Sequence, residues 1–466
     1  MRLLAVFLAA PLLFAQTYDL VLANGRVMDP ASDTDAVRHV GILGGKIAAV
    51  STTPLTGRAT VDVKGLVVSP GFIDLHAHGQ APENYRFQAR DGVTTALEME
   101  VGVWPVAAWY AAREGKALIN YGASSGHIPA RMHEMKDTGT LLPRDAAANR
   151  VSTAAERKLI RDDVRQGLDE GGLGLGFGLE YVPKATREEI LDLFQLAADY
   201  RRPCFVHLRH KGTGEPGVVN ALQEVIANAA TTGASLHVVH ITSTSLRATP
   251  TSLKMIAGAR ERGLDVTTEA YPYTAGMTRL ESALFDEGWQ GPLGISYDGL
   301  QWVATGERLT AESFARYRKQ GGFVVIHSIP EEMVRLAMAN PMIMVASDAL
   351  LEDGKGHPRA AGTFSRVLAR YVREQKALTL MDALRKMAYM PAERLHLSNK
   401  GRIQPGADAD VTVFDPERVL DKATFDNPAQ YSEGIPYVLV AGQFVVRDGK
   451  IQENVLPGRG VRQTPK

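Results

Sequence analysis

The sequence predicts an α/β fold: a (β/α)8 TIM barrel with a small β-sandwich domain formed from both chain ends. Three observations lead there. Both ends read as short β-type runs broken by turns, the long middle alternates apolar strands with helical stretches, and the middle holds eight such strands. At 466 residues the chain has room for a barrel of about 250 residues plus accessories.

The first segment is of a different kind. Met1-Arg2 is followed by an uncharged apolar run over residues 3–14 and then by Ala15-Gln16. A short basic start, an apolar stretch and a small residue read as a signal peptide over 1–15, which makes the mature chain periplasmic or secreted. Leu13 is not the small residue favoured before a cut, so a buried first strand or an uncleaved anchor are the alternatives. The 52 basic and 52 acidic residues cancel, which argues against nucleic acid or an anionic membrane as partner. Cys204 is the single cysteine, so neither an internal disulfide nor a cysteine metal cluster can form.

Residues 16–68 form the N-terminal part of the β-domain. Asp19-Leu20-Val21-Leu22-Ala23 precedes the hairpin signal Asn24-Gly25, and Val40-Gly41-Ile42-Leu43 precedes Gly44-Gly45. The same texture returns over 396–466, in Val411-Thr412-Val413-Phe414, Tyr437 to Val440 and Phe444-Val445-Val446. Between them, residues 69–395 form the barrel. Its eight strands are expected to end near His78, Glu100, Ala123, Gly178, Leu208, Ile241, Ala270 and Ser347. Helices are expected over 154–170, 187–200 and 381–387. A ninth run, Phe323-Val324-Val325-Ile326-His327, belongs to an insertion before the last strand.

The carboxyl ends of barrel strands are where this fold builds its sites, and histidines gather there. Phe72-Ile73-Asp74-Leu75-His76-Ala77-His78 closes the first strand with two imidazoles two residues apart, hence on one face. His207 and His240 end the fifth and sixth strands, and Asp348 ends the eighth. Singly each reads as a core residue; on successive strand ends they converge on a metal. In the second strand, Glu98 and Glu100 point the same way, and a carboxylate on a buried strand is costly unless paired or metal-bound. Glu100, nearer the catalytic end, is the preferred ligand. No lysine ends the fourth strand, which leaves no carbamylated lysine to bridge two metals.

These residues resemble the amidohydrolase superfamily, and within it the N-acyl-D-amino-acid deacylase (D-aminoacylase) family, over nearly the whole chain. Val67-Val68-Ser69-Pro70-Gly71-Phe72-Ile73-Asp74 and Gly406-Ala407-Asp408-Ala409-Asp410 carry the superfamily likeness. Gly178-Leu179-Glu180-Tyr181-Val182-Pro183, His207-Leu208-Arg209, Tyr271-Pro272-Tyr273, and His357-Pro358-Arg359 with Gly362-Thr363-Phe364-Ser365-Arg366 narrow it to the deacylases. The resemblance implies metal ligands His76, His78, His207 and His240, with Asp348 both ligand and catalytic acid/base. It also implies Arg359 and Tyr273 as the holders of a substrate carboxylate, with Tyr181 and Arg209 in the substrate site. Two departures stand out: the family's second-strand ligand is usually cysteine, and the lysine expected two residues after His240 is Thr242.

The expected chemistry is hydrolysis of the amide of a small N-acyl amino acid by a water activated by one or two Zn2+ ions, with Asp348 carrying the proton. His127, after Gly122-Ala123-Ser124-Ser125-Gly126, either stabilises the oxyanion or orders the third loop. Gly-x-Ser-x-Gly also fits a serine hydrolase, but Pro129 interrupts the helix that motif needs. The alternate glycines Gly172, Gly174, Gly176 and Gly178 fit no phosphate loop and leave room inside the barrel instead. A non-catalytic metal-binding protein has no use for Asp348. A dipeptidase or cyclic-amide hydrolase on the same barrel differs only in leaving group.

Overall fold

The computed structural model describes residues 17–463; the expected signal peptide lies outside them. Eight parallel strands follow one another around the barrel in chain order: Phe72–Asp74, Val93–Val103, Asn120–Gly126, Leu175–Gly178, Cys204–His207, Leu236–Val238, Val266–Ala270 and Ile343–Val345. The last strand meets the first through the segments that follow them. Ala349 N donates to the His76 carbonyl at 3.3 Å, Gly79 N donates to the Ala349 carbonyl at 2.8 Å, and Ser347 N donates to Asp74 Oδ1 at 3.0 Å. These contacts, made just past the strand ends, close the ring between two strands that share no ladder of their own.

The helices lie outside and start where local chemistry dictates. Thr153 and Glu156 form a capping box at the head of Ala154–Asp169, whose Ile160, Val164 and Leu168 face inward. Thr186 caps Arg187–Tyr200, which buries Ile190, Leu193, Phe194 and Ala197. Helical structure expected over 381–387 runs from Leu380 to Arg394. The sixth strand, expected to end near Ile241, stops at Val238. His240 takes up left-handed backbone (φ +30°), and Ile241–Ser245 turns into a short helix. Phe323–Ile326 pairs antiparallel with Gly276–Arg279 and with Leu300–Trp302, a three-stranded insertion between the seventh and eighth barrel strands, as expected.

The β-domain is a nine-stranded sheet built from both chain ends. Leu22, Val40, Ile47, Val411, Val413 and Leu439 share one buried cluster, so the two ends bury a common core. Two stretches cross the expected borders at 68/69 and 395/396. Val67–Pro70 is a sheet strand, parallel to Tyr18–Asp29 and antiparallel to Val411–Phe414. Near the C-terminus, residues 458–461 leave the sheet for the barrel, where Tyr121 N donates to the Arg459 carbonyl at 3.1 Å and Val461 N to the Tyr121 carbonyl at 2.7 Å. Among the described residues no helix is long and apolar enough to cross a membrane.

One glycine decides how far the second strand reaches into the barrel. A Cβ on Gly176 would stand 2.4 Å from the Glu100 carbonyl oxygen and 2.6 Å from Ser124 Oγ. The fourth strand is therefore bare where the second crowds it. Gly176→Val is expected to destabilise the fold by at least about 2 kcal/mol, read as a lowered urea midpoint with an unchanged slope.

Candidate metal centre and substrate cleft

Glu100 stands at the middle of the strand-end cluster. Its Oε2 lies 2.7 Å from His76 Nε2 and 3.2 Å from His78 Nε2, while its Oε1 lies 2.6 Å from His207 Nδ1 and 3.7 Å from His240 Nε2. Asp348 Oδ1 closes the first side at 3.4 Å from His78 Nε2 and 3.6 Å from His76 Nε2. The donors thus fall into two sets that share one carboxylate: His76, His78, Glu100 and Asp348, and Glu100, His207 and His240. All are buried except the partly exposed His78.

Each imidazole turns one nitrogen to this cluster and is held by the other. His76 Nδ1 meets Glu269 Oε1 at 2.6 Å, and His78 Nδ1 meets Glu98 Oε2 at 2.7 Å. His207 Nε2 meets Glu180 Oε2 at 2.8 Å, and His240 Nδ1 meets Thr244 Oγ1 at 3.2 Å. Outer partners of this kind set the tautomer and raise the basicity of a ligating imidazole. Five carboxylates therefore crowd a site whose fixed cations are Arg359 and Lys211. Burial pushes the Glu100 carboxyl up, but His76 and His207 hold it well below the usual carboxylate range. Burial likewise disfavours a charged His76, yet Asp348, Glu100 and Glu269 raise it to about 10. The cluster calls for positive charge, and imidazole and carboxylate oxygens suit a divalent cation such as zinc.

The cleft beside this centre has two recesses that share Tyr181, His240, Met277, Thr278 and Asp348 as walls. Arg359 lines one of them. Its Nη2 lies 2.8 Å from Asp348 Oδ1 and its guanidinium sits over the Tyr271 ring at 4.6 Å, while its buried Nε and Nη1 have no hydrogen-bond partner. Burial works against the Asp348 anion, but Arg359 and His76 hold its carboxyl below the usual range. Lys211, Ser243 and Tyr271 line the other recess with Leu284, Leu293 and Ile326. The Tyr181 hydroxyl accepts from Thr278 Oγ1 at 3.1 Å on the shared wall.

Three expected substrate residues stand elsewhere. Tyr273 turns away: its hydroxyl donates to the Pro358 carbonyl at 3.4 Å and its ring lies under Arg366, while Tyr271 takes the wall position. Arg209 is buried in two bonds to the Glu224 carboxylate and one to the Ala185 carbonyl, tying the fifth strand to its neighbours. His127 heads a helix with Nε2 2.7 Å from Glu189 Oε1, in a network with Arg131 and Ser152. It orders the third loop and does not line the cleft. Sequence reasoning missed Glu269, Glu180 and Lys211. Glu269 carried the signal that singled out Glu100, a carboxylate near the end of a buried strand. Glu180 and Lys211 sat inside quoted motifs whose neighbours drew attention first.

A closed barrel with histidines and acids gathered at its strand ends, and an arginine poised over the acid of the eighth, defines a metal-dependent hydrolase of the TIM-barrel class. The chain belongs to the amidohydrolase family, whose pattern it matches over residues 59–446. It is 31% identical over 468 residues to an N-acyl-D-glutamate deacylase of Alcaligenes xylosoxydans xylosoxydans, covering 91% of this chain and 93% of that one. A D-aminoacylase of the same organism is 30% identical, covering 92% and 94%. In structure it is similar to the N-acyl-D-glutamate deacylase of Bordetella bronchiseptica, complexed with zinc and a phosphonate mimic of the tetrahedral intermediate. That match has a TM-score of 0.82 at 29% identity and covers 96% of this chain and all of the other. A D-aminoacylase with a binuclear metal centre superposes with a TM-score of 0.81 at 26% identity, over 96% of this chain and all of that one.

Arg209 offers a test of structure against binding. Arg209→Met leaves Glu224 buried without its bidentate partner and should cost about 3 kcal/mol, seen as a lowered Tm. The KM of the remaining folded enzyme should match that of the unaltered protein; a KM rise without a Tm change would return Arg209 to the substrate site.

Proposed function

We propose that the protein is a metal-dependent deacylase that hydrolyses the amide bond of N-acyl-D-amino acids to a carboxylate and a free D-amino acid. The observation that carries this reading is the union of a shared-carboxylate metal centre with the Asp348–Arg359 pair at one cleft. His76, His78, Glu100 and Asp348 would hold one divalent cation, and Glu100, His207 and His240 a second. Zinc bound there supplies Lewis acidity for the amide carbonyl and lowers the pKa of water toward about 7.

The chain's own residues do the rest. Arg359 has unpaired N–H groups at Nε and Nη1, on either side of the Nη2 that meets Asp348, and they can donate to the substrate's carboxylate. Anchored there, the substrate brings its amide nitrogen to Asp348. Held as an anion, Asp348 accepts a proton from the attacking water at a carboxylate oxygen. It returns that proton to the departing nitrogen, which leaves as an amine because the amide anion is too basic to leave.

Leu141, Leu142, Met277, Phe323 and Leu350 line the recess around Arg359, with no second lysine or arginine among them. That lining supports a neutral, apolar amino-acid side chain, since an acidic one would be buried without a cation of its own. The D configuration is supported by the two relatives. Export is part of the same proposal and rests on the leader-like segment over residues 1–15.

Purified, zinc-loaded protein assayed for amine release should act on N-acetyl-D-leucine, -methionine or -phenylalanine and not on their L forms. N-acetyl-D-glutamate should be poorer by at least about tenfold, the scale of one unpaired buried charge-assisted contact. Asp348→Asn should lower kcat by about 10^3, within the usual range for a positioned acid/base. Arg359→Met should raise KM by about 10- to 100-fold. No amine from any member of the panel, with metal bound, would sink the deacylase reading and direct the assay to dipeptides and cyclic amides.

A further inference from the structure

His357 is fully buried behind the cleft and lines neither recess. Its ring joins two pieces of the cleft wall. Nδ1 accepts from the backbone N–H of Arg359 at 3.0 Å, and Nε2 donates to the Ala275 carbonyl at 2.9 Å. A nitrogen that accepts a backbone N–H carries no proton, so the proton sits on Nε2 and the ring is neutral. Burial and the Arg359 guanidinium also disfavour its charged form.

The two bonds reach different elements. Arg359 opens the helix Arg359–Arg366, and its amide is one of the first four, which have no acceptor within a helix. His357 takes that amide with its ring and the next, Ala360 N, with its carbonyl at 3.1 Å. Ala275 directly precedes Gly276–Arg279, the strand that brings Met277 to both recesses. Tyr273 and Phe425 stand nearly perpendicular to the imidazole, with ring centroids at 5.3 and 5.0 Å, and leave it little room to turn. Tyr273, turned away from the cleft, thus packs the ring that stands behind Arg359.

We propose that His357 is a positioning residue for substrate binding: its ring fixes the head of the helix that carries Arg359 and so aims the guanidinium at the substrate's carboxylate. The inference rests on the deacylase reading above. The far end of the Arg359 side chain is held by Asp348 at 2.8 Å, by the Tyr271 ring and by the Met277 carbonyl at 3.5 Å. Its root is held by the helix start, where a buried N–H without a partner is costly enough to shift the first turn. A small tilt at the root moves the end of a long side chain much further, and hydrogen bonds weaken steeply with angle.

Two substitutions separate the two bonds. Asparagine carries an oxygen as many bonds from the backbone as Nδ1, and glutamine carries an amide nitrogen as many bonds away as Nε2. Both variants lose one buried bond and should show a lowered Tm. Zinc-loaded full-length protein would be assayed on the N-acetyl-D-amino acid it hydrolyses best. His357→Gln should raise KM about tenfold, more than it lowers kcat, the scale of one misaligned bond to a charged group. His357→Asn should recover most of that loss, despite its own lowered Tm. In an Arg359→Met background His357→Gln should leave KM where it stands, because the group it aims is gone. An unchanged KM in His357→Gln overturns the inference, as does an equal rise in His357→Asn, or the full rise persisting without Arg359. No amine release by the unaltered, metal-loaded chain is a different outcome: the deacylase reading itself fails there, and the inference falls with it.

Discussion

One carboxylate organises this molecule. Glu100 reaches from the second strand into the barrel axis and puts one oxygen against His76 and His78 and the other against His207. These partners arrive from the first and fifth strands, with His240 just beyond the sixth, so the residue ties opposite sides of the ring to one point. A buried carboxylate costs several kcal/mol unless it is paired, and here the imidazoles around it supply the pairing. The need for that geometry reaches into the backbone: the fourth strand carries Gly176 where any side chain would meet the Glu100 carbonyl.

The second consequence is that charge is arranged in shells. The inner donors face one another, and the outer carboxylates Glu98, Glu180 and Glu269 face away from the centre and hold the rings. The outer carboxylates fix three of the four converging rings, of which only His76 and His78 approach each other directly among the described residues, Nε2 to Nε2 at 3.2 Å. The backbone bears part of the cost. His240 at φ +30° and Asp348 at φ +54° stand just past the ends of their strands in conformations that ordinary residues rarely adopt. Such strain persists only where the surroundings over-determine it. The closed ring of strands and the junction of the eighth strand with Asp74 provide that.

How much of this is legible in the sequence follows from which signals are local. Eight strands, the antiparallel insertion at Phe323 and the two-ended β-domain all declare themselves through periodicity and turn residues. So does the convergence of His76, His78, His207, His240 and Asp348, because a strand end is a position in space as well as in sequence. The choice of Glu100 over Glu98 follows from distance along one strand. What escapes is orientation beyond the strand ends. Tyr271 and Tyr273 are both polar-tipped aromatics in one loop, and only the fold shows the second under Arg366. Arg209 looks like a ligand-binding arginine until the helix carrying Glu224 packs beside it. Glu180 and Lys211 come together across two loops, a pairing that no spacing rule encodes.

That division also separates chemistry from specificity. The metal-facing donors sit on or next to barrel strands, whose positions the closed ring allows little freedom to change. The walls that would meet a substrate's side chain come from elsewhere: Met277 and Phe323 from the three-stranded insertion, Leu141 and Leu142 from the loop after the third strand, and Leu350 from the turn after the eighth. Apart from the turn after the eighth strand, which also carries Asp348, these segments hold no ligand of the centre. They can change residues, and with them the shape and polarity of the recess, without disturbing Glu100 or its imidazoles. A family built this way keeps one reaction and varies its substrate.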